Sequence, residues 1–207
     1  DLPAWCRSEE EWKGLFFDWI HKPEPSALLN ASIFFDVRPL YGDFSLVQPL
    51  RDFLAKWAPS AETFLRLMAT NALAAEPPIG FTGDVVMEKE GKEKFIDIKK
   101  YGIRIFVDVA RIIGLAHGVQ SANTRTRFIE AGEKSGMSAL DVSAALQAMS
   151  ELQRLRLHHQ HQAILAGTAP DNHLHPEELS TYDEAVLREG LKQAKRLQQR
   201  LKLTYRI

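Results

Sequence analysis

The sequence predicts an all-α protein, a helical bundle of about seven or eight helices with one short β-hairpin. Three observations support this class. Apolar residues recur at helical spacing along most of the 207 residues. Capping residues precede these segments, and prolines and glycines separate them. Since the connections are short, consecutive helices are expected to pack as antiparallel neighbours.

The first two helices are delimited by a capping box and by prolines. Ser8 and Glu11 can exchange side-chain-to-backbone hydrogen bonds, which marks the start of a helix that ends before Pro23. A second helix is predicted for residues 26–35. The segment Asp36–Asp43 then breaks the helical pattern, because it contains a proline and a glycine.

Two more helices and the hairpin complete the first half of the chain. Residues 44–57 are helical in pattern, with Pro49 at a kink or a late start. Ser60 can cap the next helix, which stops at Pro77. The only β-prone part of the sequence lies between Phe81 and Ile98. Its predicted strands and their connection are Phe81–Glu88, Lys94–Ile98 and Glu90-Gly91-Lys92.

The second half is predicted to contain helices, with a polar loop that includes Pro170, Asn172 and Pro176 before the last one. Four helices, each bounded by a capping residue or a glycine, are expected there: Gly102–His117, Asn123–Gly136, Ser138–Ala166 and Tyr182 to the end. The first of them is apolar almost all round, so it is expected to lie at the centre of the bundle.

Composition limits the function classes. The formal net charge of −1 argues against a dedicated nucleic-acid binder. The single cysteine, Cys6, allows no internal disulfide, which fits a reducing cytoplasm. No apolar stretch approaches the ~20 residues needed to cross a bilayer. The length of 207 residues suits one domain. Because the chain begins with Asp1 rather than Met, we expect this domain to be a C-terminal fragment of a larger protein.

Charged residues follow one stripe of the apolar helix that opens the second half. Arg104, Asp108 and Arg111 are spaced i, i+4, i+7, so they share a face. Asp97 and Lys99 precede them with the alternate spacing that would point both to one side of a strand. The stripe is either a self-neutralising structural ladder or a wall that binds an anionic group such as a nucleotide phosphate.

Polar residues on two other helices have plainer interpretations. Arg156 and His159 continue a core stripe, and they are secondary candidates for ligand binding. The favoured alternative is structural: an inward histidine whose hydrogen bonds are satisfied within the protein, and an arginine that bridges neighbouring elements. Five histidines lie between residues 158 and 175, but no zinc spacing accompanies them, so we assign no metal ligands. The last helix is basic, and a solvated face is favoured over nucleic-acid binding.

Common catalytic motifs are missing from the sequence. It contains no phosphate-binding P-loop, no dinucleotide glycine fingerprint and no G-x-S-x-G elbow. Cys6 lacks the surroundings of a catalytic cysteine. We therefore assign no catalytic residue to this chain.

Six short segments, in order along nearly the whole chain, resemble the nucleotidyltransferase substrate-binding domain of bacterial signal-transduction proteins. They are Asp36–Asp43, Asp97–Gly102, Val107–Arg111, Asn123–Arg127, Leu155–Gln160 and Pro170–Asn172. A more distant similarity is to PII uridylyltransferase and glutamine synthetase adenylyltransferase. It rests on Lys99, Gly102, Ile103 and Arg104, and Ile105 stands where those enzymes carry an aspartate.

The resemblance implies a preceding nucleotidyltransferase domain and, before it, CBS or cyclic-nucleotide-binding modules. In such enzymes the catalytic carboxylates lie in that preceding α/β domain, after a Gly-Ser motif that this sequence lacks. Mg²⁺ and a nucleoside triphosphate are therefore expected there, and no cofactor in this chain. The chain would be the non-catalytic half of a uridylyl- or adenylyltransferase, and an acceptor protein is among the expected partners. The alternative is a non-catalytic protein-interaction or regulatory module.

We hypothesise that seven charged residues converge on one cleft facing the catalytic domain and bind substrate or nucleotide: Asp36, Arg38, Asp97, Lys99, Arg104, Asp108 and Arg111. The basic side chains would hold phosphate or an acidic acceptor, and the aspartates would orient them. The alternative is that these residues only pin the hairpin to the bundle through buried ion pairs.

Overall fold

The predicted all-α class is confirmed. The structure is a computed structural model that describes residues 3–91 and 93–207. Within these residues it contains eight α-helices and one three-stranded antiparallel sheet. Their bounds are α1 (Glu9–His21), α2 (Pro25–Phe34), α3 (Gln48–Trp57), α4 (Glu62–Ala72), β1 (Glu88–Glu90), β2 (Glu93–Asp97), α5 (Arg104–Ala116), α6 (Thr124–Ala131), α7 (Ala139–Leu165), β3 (His173–Leu174) and α8 (Thr181–Tyr205). None of the described helices is both long and apolar enough to span a membrane.

The chain divides into two compact units, each made from separated segments. The first unit contains the described residues up to Asn71, the segment Ala110–Met137 and Ile207. The second unit contains Ala72–Val109 and Ser138–Arg206. The boundary after Val109 falls within α5, so this helix contributes residues to both units.

In the first unit, α1 packs against α2 and α3 through aromatic side chains. The α1 helix begins at the predicted capping box, in which the Glu11 amide donates to Ser8 Oγ at 3.3 Å. The buried Phe16 ring meets that of Phe35 edge-on, with 4.9 Å between centroids. Phe35 in turn contacts Phe64 at 5.8 Å. Aromatic burial of this kind supplies much of the apolar area that stabilises a small core.

One proline and one serine that were predicted as boundary residues differ in outcome. Of the two alternatives predicted for Pro49, a kink and a late helix start, the structure has the late start. A 3₁₀ turn covers Phe44–Leu46, and α3 begins at Gln48. Proline fits there because the first helical turn needs no amide donor. The prediction that Ser60 caps α4 is wrong in its geometry, since the Ser60 hydroxyl donates to the carbonyl of Trp57 at 3.1 Å within a 3₁₀ turn.

The second unit is built around α7 and α8, which pack against each other and against a π-helical turn at Lys99–Ile103. The fully buried Leu152 of α7 lies where two glycines leave room for it. A Cβ on Gly190 would lie 2.6 Å from Leu152 Cδ2, and one on Gly102 would lie 3.1 Å from Cδ1. Close-packed interiors do not accommodate a contact of 2.6 Å, so glycine at position 190 allows this close packing of α8 on α7.

The sheet of the second unit differs from the predicted hairpin in two ways. Its first strand covers Glu88–Glu90, because residues from Gly80 to Asp84 form a turn instead of a strand; the Gly80 amide donates to the Asp84 carbonyl at 2.8 Å. A third strand, His173–Leu174, pairs with Ile96 and Asp97 of β2 and was not predicted. Lys92, part of the predicted connection, lies outside the described residues.

Candidate functional site

The residues of the sequence hypothesis lie in both compact units. Asp36, Arg38 and Arg111 belong to the first unit. The remaining candidates belong to the second unit: Asp97, Lys99, Arg104, Asp108, Arg156 and His159. The single cleft stays a prediction, and the local arrangement differs sharply between the two groups.

A buried charge cluster occupies the first unit. Arg111 donates to Asp36 Oδ2 from Nε at 3.0 Å and from Nη2 at 2.7 Å. Arg127 Nη1 lies 2.6 Å from the other carboxylate oxygen, Oδ1. That second contact is an ion pair without the angles of a well-formed hydrogen bond. The side chains of Arg111 and Arg127 are 9 % and 3 % exposed, so Asp36 holds two guanidinium groups that are almost removed from water.

Three features of the sequence place Arg127 beside Asp36. Asn123 caps α6 by accepting from the Thr126 amide at 3.1 Å, which fixes the start of the helix that carries Arg127. A Cβ on Gly114 would lie 3.0 Å from the aliphatic part of Arg127, so glycine leaves room for this side chain. Arg127 Nε also donates to the Ser121 carbonyl at 2.7 Å. Burial lowers the pKa of Arg127, while Asp36 acts in the opposite direction and stabilises the charged form.

A small cavity lies beside the cluster. Arg127 also lines a cavity of about 10 Å³ in this unit, together with Arg51 and Gly118, and that volume is roughly that of one water-sized probe. Arg38, two residues after Asp36, is exposed. Sequence reasoning did not select Arg127, although the residue ends one of the six segments that carry the family resemblance. The arrangement is that of a structural ion-pair cluster.

In the second unit, the prediction that Asp97 and Lys99 share one side of a strand is wrong. The β2 strand ends at Asp97, and Lys99 begins the π-helical turn that leads into α5. Asp97 Oδ1 accepts a hydrogen bond from the Lys100 amide at 2.8 Å, so this carboxylate caps the first residues of the π-helical turn. The Lys99 side chain is exposed.

Arg104 and Asp108 form the predicted i, i+4 pair on α5. Arg104 Nε donates to Asp108 Oδ2 at 3.2 Å. The Arg104 side chain is 53 % exposed and that of Asp108 is 16 % exposed. Exposed pairs of this kind contribute little to stability, about 0–1 kcal/mol. Arg104 is therefore accessible to a ligand in a way that Arg111 is not.

A pocket of about 450 Å³ lies in the second unit, between the C-terminal half of α7 and the segment that follows it. Its size falls within the range of roughly 300–1,000 Å³ that is typical of small-molecule sites. The lining comes from α7, from residues 168–179 and from the first turn of α8: Leu155, His158, His159, Gln162, Ala163, Ala166, Thr168, Ala169, Asp171, Leu174, His175, Glu178, Leu179 and Asp183.

His159 connects α7 to the segment that closes the pocket. Its Nε2 lies 2.8 Å from Asp171 Oδ1, and its Nδ1 lies 3.2 Å from Glu178 Oε2. The contact with Asp171 is a hydrogen bond when Nε2 carries a proton, whereas the contact with Glu178 is an ion-pair distance without hydrogen-bond geometry. The His159 side chain is 14 % exposed, whereas those of Asp171 and Glu178 are about half exposed. The histidine thus holds two carboxylates at the rim of the pocket.

Two of the segments that carry the family resemblance meet at this position. Arg156 Nε donates to Asn172 Oδ1 at 2.6 Å, and Gln160 Nε2 donates to the Asp171 carbonyl at 3.0 Å. The Asn172 carbonyl accepts from the Ile98 amide at 3.0 Å. The segment after α7 is therefore attached to both α7 and the end of β2, which indicates a pocket that exists before a ligand arrives.

The electrostatics of the pocket favour hydrogen-bond donors over anions. Asp171, Glu178 and Asp183 line it, and no lysine or arginine is among its described lining residues. Burial alone would raise the pKa of Asp171, but hydrogen bonds from the His173 amide and from His159 outweigh it and the pKa is lowered. Hydrogen bonds from Ser180 and Arg154 lower the pKa of Asp183. Two lining carboxyl groups are thus held ionised at neutral pH.

The histidines around the pocket do not form a recognisable metal centre. Among the residues that the structure describes, no group of three or more His, Cys, Asp or Glu side chains is arranged to hold a metal ion. His175 Nδ1 instead lies 3.2 Å from the Lys94 carbonyl, and the His173 ring stacks near Phe95 with 4.3 Å between centroids. These contacts attach β3 to β2.

Comparison with known proteins identifies the family. A family model described as "Putative nucleotidyltransferase substrate binding domain" matches residues 62–205, from the first residue of α4 to the last residue of α8. No significant match was found among curated proteins or among solved structures. The matched segment contains every residue that lines the pocket beside His159. Since the match covers well over half of the 207 residues, this chain belongs to the nucleotidyltransferase substrate-binding domain family.

Proposed function

We propose that this chain binds the substrate of a nucleotidyl transfer whose chemistry takes place on another domain. The observation that carries the proposal is the pocket of about 450 Å³ beside His159, which lies wholly within the family match. It has the size of a small-molecule site and a preformed polar rim. The catalytic carboxylates, Mg²⁺ and the nucleoside triphosphate would belong to a preceding nucleotidyltransferase domain.

The wider setting of the proposal follows from the sequence resemblance. We place the transfer in the uridylyl or adenylyl class, in a bacterial signal-transduction protein that also carries CBS or cyclic-nucleotide-binding modules and acts on an acceptor protein. Cys6 is an exposed free thiol, which suits a reducing compartment, so we propose the cytoplasm as its location.

Exposed basic residues near the start of α5 supply the second part of the proposal. Lys99 and the half-exposed Arg104 would hold phosphate or an acidic acceptor, with Asp97 and Asp108 orienting the basic side chains. Arg111 and Asp36 would contribute through stability, since their charges already satisfy each other in the buried cluster.

Titration calorimetry with ATP and with UTP tests the proposal. We expect heat of binding to the folded chain and a loss of about tenfold in affinity for Lys99→Ala and for Arg104→Ala, the size of one charge-assisted hydrogen bond. Lys89→Ala is the matched control, because Lys89 is an exposed lysine on β1 and is not one of the candidate binding residues. Equal affinity in all three variants would contradict the role of the stripe.

The alternative, a protein-interaction module, is favoured by one observation on the first unit. Large apolar side chains are exposed there, in a part of the chain that precedes the family match: Leu29, Ile33, Leu40, Tyr41, Phe44 and Leu46. Exposed apolar patches often mark binding surfaces for other proteins. This alternative predicts no heat with either nucleotide, so the same calorimetric titration separates the two functions.

A further inference from the structure

We infer that the pocket beside His159 takes the sugar-and-base end of a nucleotide and leaves the phosphates outside. The inference rests on the proposed function, because it names the part of the substrate that this pocket recognises. Its starting point is the mismatch between the lining of the pocket and the charge of a triphosphate. The described lining contains three carboxylates, three imidazoles and no lysine or arginine. Because His159 already contacts two of the carboxylates, a phosphate group would still meet an excess of negative charge.

The free acceptor oxygens of the rim suit hydroxyl and amino groups. Asp171 Oδ1 is taken by His159 and by the His173 amide, and Glu178 Oε2 faces His159 Nδ1. Among the described residues no contact uses the second oxygen of either carboxylate. Acidic side chains commonly accept hydrogen bonds from ribose hydroxyls in nucleotide sites. Two such oxygens at one rim therefore match a vicinal diol.

The rest of the lining suits a flat, partly apolar group. Its apolar members are small or branched side chains: Leu155, Ala163, Ala166, Ala169, Leu174 and Leu179. Gln162 and Thr168 add neutral groups that can both donate and accept hydrogen bonds. Ligand sites with apolar walls and a few placed polar groups usually bind the uncharged part of a ligand in this way.

His159 acts here as a positioning residue. It reaches one carboxylate with each ring nitrogen and so sets the separation of Asp171 from Glu178. The Thr168 amide donates to the Ala163 carbonyl at 2.9 Å, which turns the chain back over the end of α7. Because these contacts lie within the chain itself, they reduce the ordering that ligand binding requires.

Calorimetry with adenosine, uridine, ATP and UTP tests the inference on the whole chain. When Lys99→Ala and Arg104→Ala are combined in one chain, we expect the better nucleoside to bind within about threefold of its triphosphate, since the phosphates add little within the pocket itself. Its affinity should also stay constant when salt is raised from about 0.05 M to 0.5 M, because no charge on the nucleoside is screened. Cadaverine, a diamine with neither sugar nor base, measures charge attraction alone.

Variants of the rim localise the binding. Glu178→Gln and Asp171→Asn should each weaken nucleoside binding by about tenfold, because a charge-assisted hydrogen bond becomes a neutral one. Glu177→Gln is the matched control: Glu177 is the exposed neighbour in the same 3₁₀ turn, and it does not line the pocket. Far-ultraviolet circular dichroism confirms that each variant is folded.

The outcomes separate this inference from the proposed function. Binding of ATP or UTP without any binding of the nucleosides overturns the inference and leaves the proposed function standing. Tighter binding of cadaverine than of either nucleoside also overturns the inference. Absence of binding by every nucleoside and nucleotide overturns both. Nucleoside binding that is lost in Glu178→Gln and kept in Glu177→Gln supports both.

Discussion

Each unit of the chain contains a cluster of three ionisable side chains, but the ratio of acidic to basic groups is reversed between the two clusters. In the first unit, one carboxylate, Asp36, holds two buried arginines, Arg111 and Arg127. In the second unit, one histidine, His159, holds two half-exposed carboxylates beside a pocket of about 450 Å³. The two arginines of the first arrangement are almost removed from water, whereas the two carboxylates of the second are about half exposed.

This difference determines what each arrangement does. Charges in a low-dielectric interior interact strongly, and a buried group whose partner is removed is costly. Charges at a solvated rim contribute little to folding because water screens them. We therefore expect changes to the first cluster to alter stability and changes to the second to alter ligand binding.

The largest expected effect is that of Asp36→Asn. The substitution keeps the size of the side chain but leaves two buried guanidinium groups without a counter-charge, so the free energy of unfolding should fall by about 3–5 kcal/mol. Urea denaturation followed by tryptophan fluorescence measures this change. All four tryptophans, at positions 5, 12, 19 and 57, belong to the first unit, so the signal reports on the unit that carries the cluster.

Arg38→Ala is the control for that experiment. Arg38 is exposed and lies two residues from Asp36, so its removal should change the free energy of unfolding by less than about 0.5 kcal/mol. Equal stability of the Asp36→Asn variant and the original chain would show that the buried cluster does not hold the first unit together. Where Asp36→Asn remains folded, nucleoside binding should be unchanged.

A smaller effect is expected from Gly190→Ala, which tests whether the second unit relies on apolar packing rather than on charge. The added Cβ would lie 2.6 Å from Leu152 Cδ2, so α7 and α8 must separate or Leu152 must leave its rotamer. Overpacking of this kind costs about 1–3 kcal/mol. Thermal unfolding followed by circular dichroism at 222 nm detects the loss, because α7 and α8 are the two longest helices.

Gly14→Ala provides the opposite control. Gly14 lies inside α1, and no atom would lie within 4 Å of an added Cβ. Alanine favours the helix over glycine by roughly 0.5–1 kcal/mol, so this variant should be slightly more stable than the original chain. If Gly190→Ala were stabilising to the same degree, the close packing around Leu152 would not be a constraint on the second unit.

Local sequence signals predicted the elements of both units well. The capping boxes at Ser8 and Ser138 begin α1 and α7, and Asn123 caps α6, because a cap depends only on residues within one turn. The i, i+4 pair of Arg104 with Asp108 was predictable for the same reason. The first strand was placed too early, since a β-prone composition does not distinguish a strand from the turn at Gly83, whose φ is +87°.

Long-range partners were beyond the reach of the sequence. The local pattern does not predict that Asp36 pairs with Arg111 and Arg127, because the three residues come from separated segments of the chain. The role of Asp171 and Glu178 was missed in the same way: they lie in a polar loop without periodicity, and their position depends on how that loop returns to His159. The two-residue strand β3 is too short to leave any pattern.

The smallest expected effect concerns the acid dependence of the pocket. The pKa of Asp171 lies below its ordinary value of 3.8, because hydrogen bonds from the His173 amide and His159 outweigh the opposing effect of burial. A carboxyl group whose pKa is lowered in the folded state stabilises the fold above its unfolded pKa. That contribution is lost as the pH falls through the lowered value. The Asp171 side chain is 53 % exposed, so solvent screening keeps the effect small.

Asp171→Asn measures this contribution directly. At pH 6 the variant should unfold at a lower urea concentration than the original chain, and the difference should shrink as the pH falls from about 4 toward 2, where the original carboxylate also becomes neutral. Circular dichroism at 222 nm follows both proteins, and Glu177→Gln should match the original chain throughout, since Glu177 is exposed and has no part in the His159 contacts. A difference that stays constant or grows at low pH would mean that Asp171 acts through its shape and not through its charge. Charge and its exposure to solvent would then not explain why one cluster serves stability and the other serves binding.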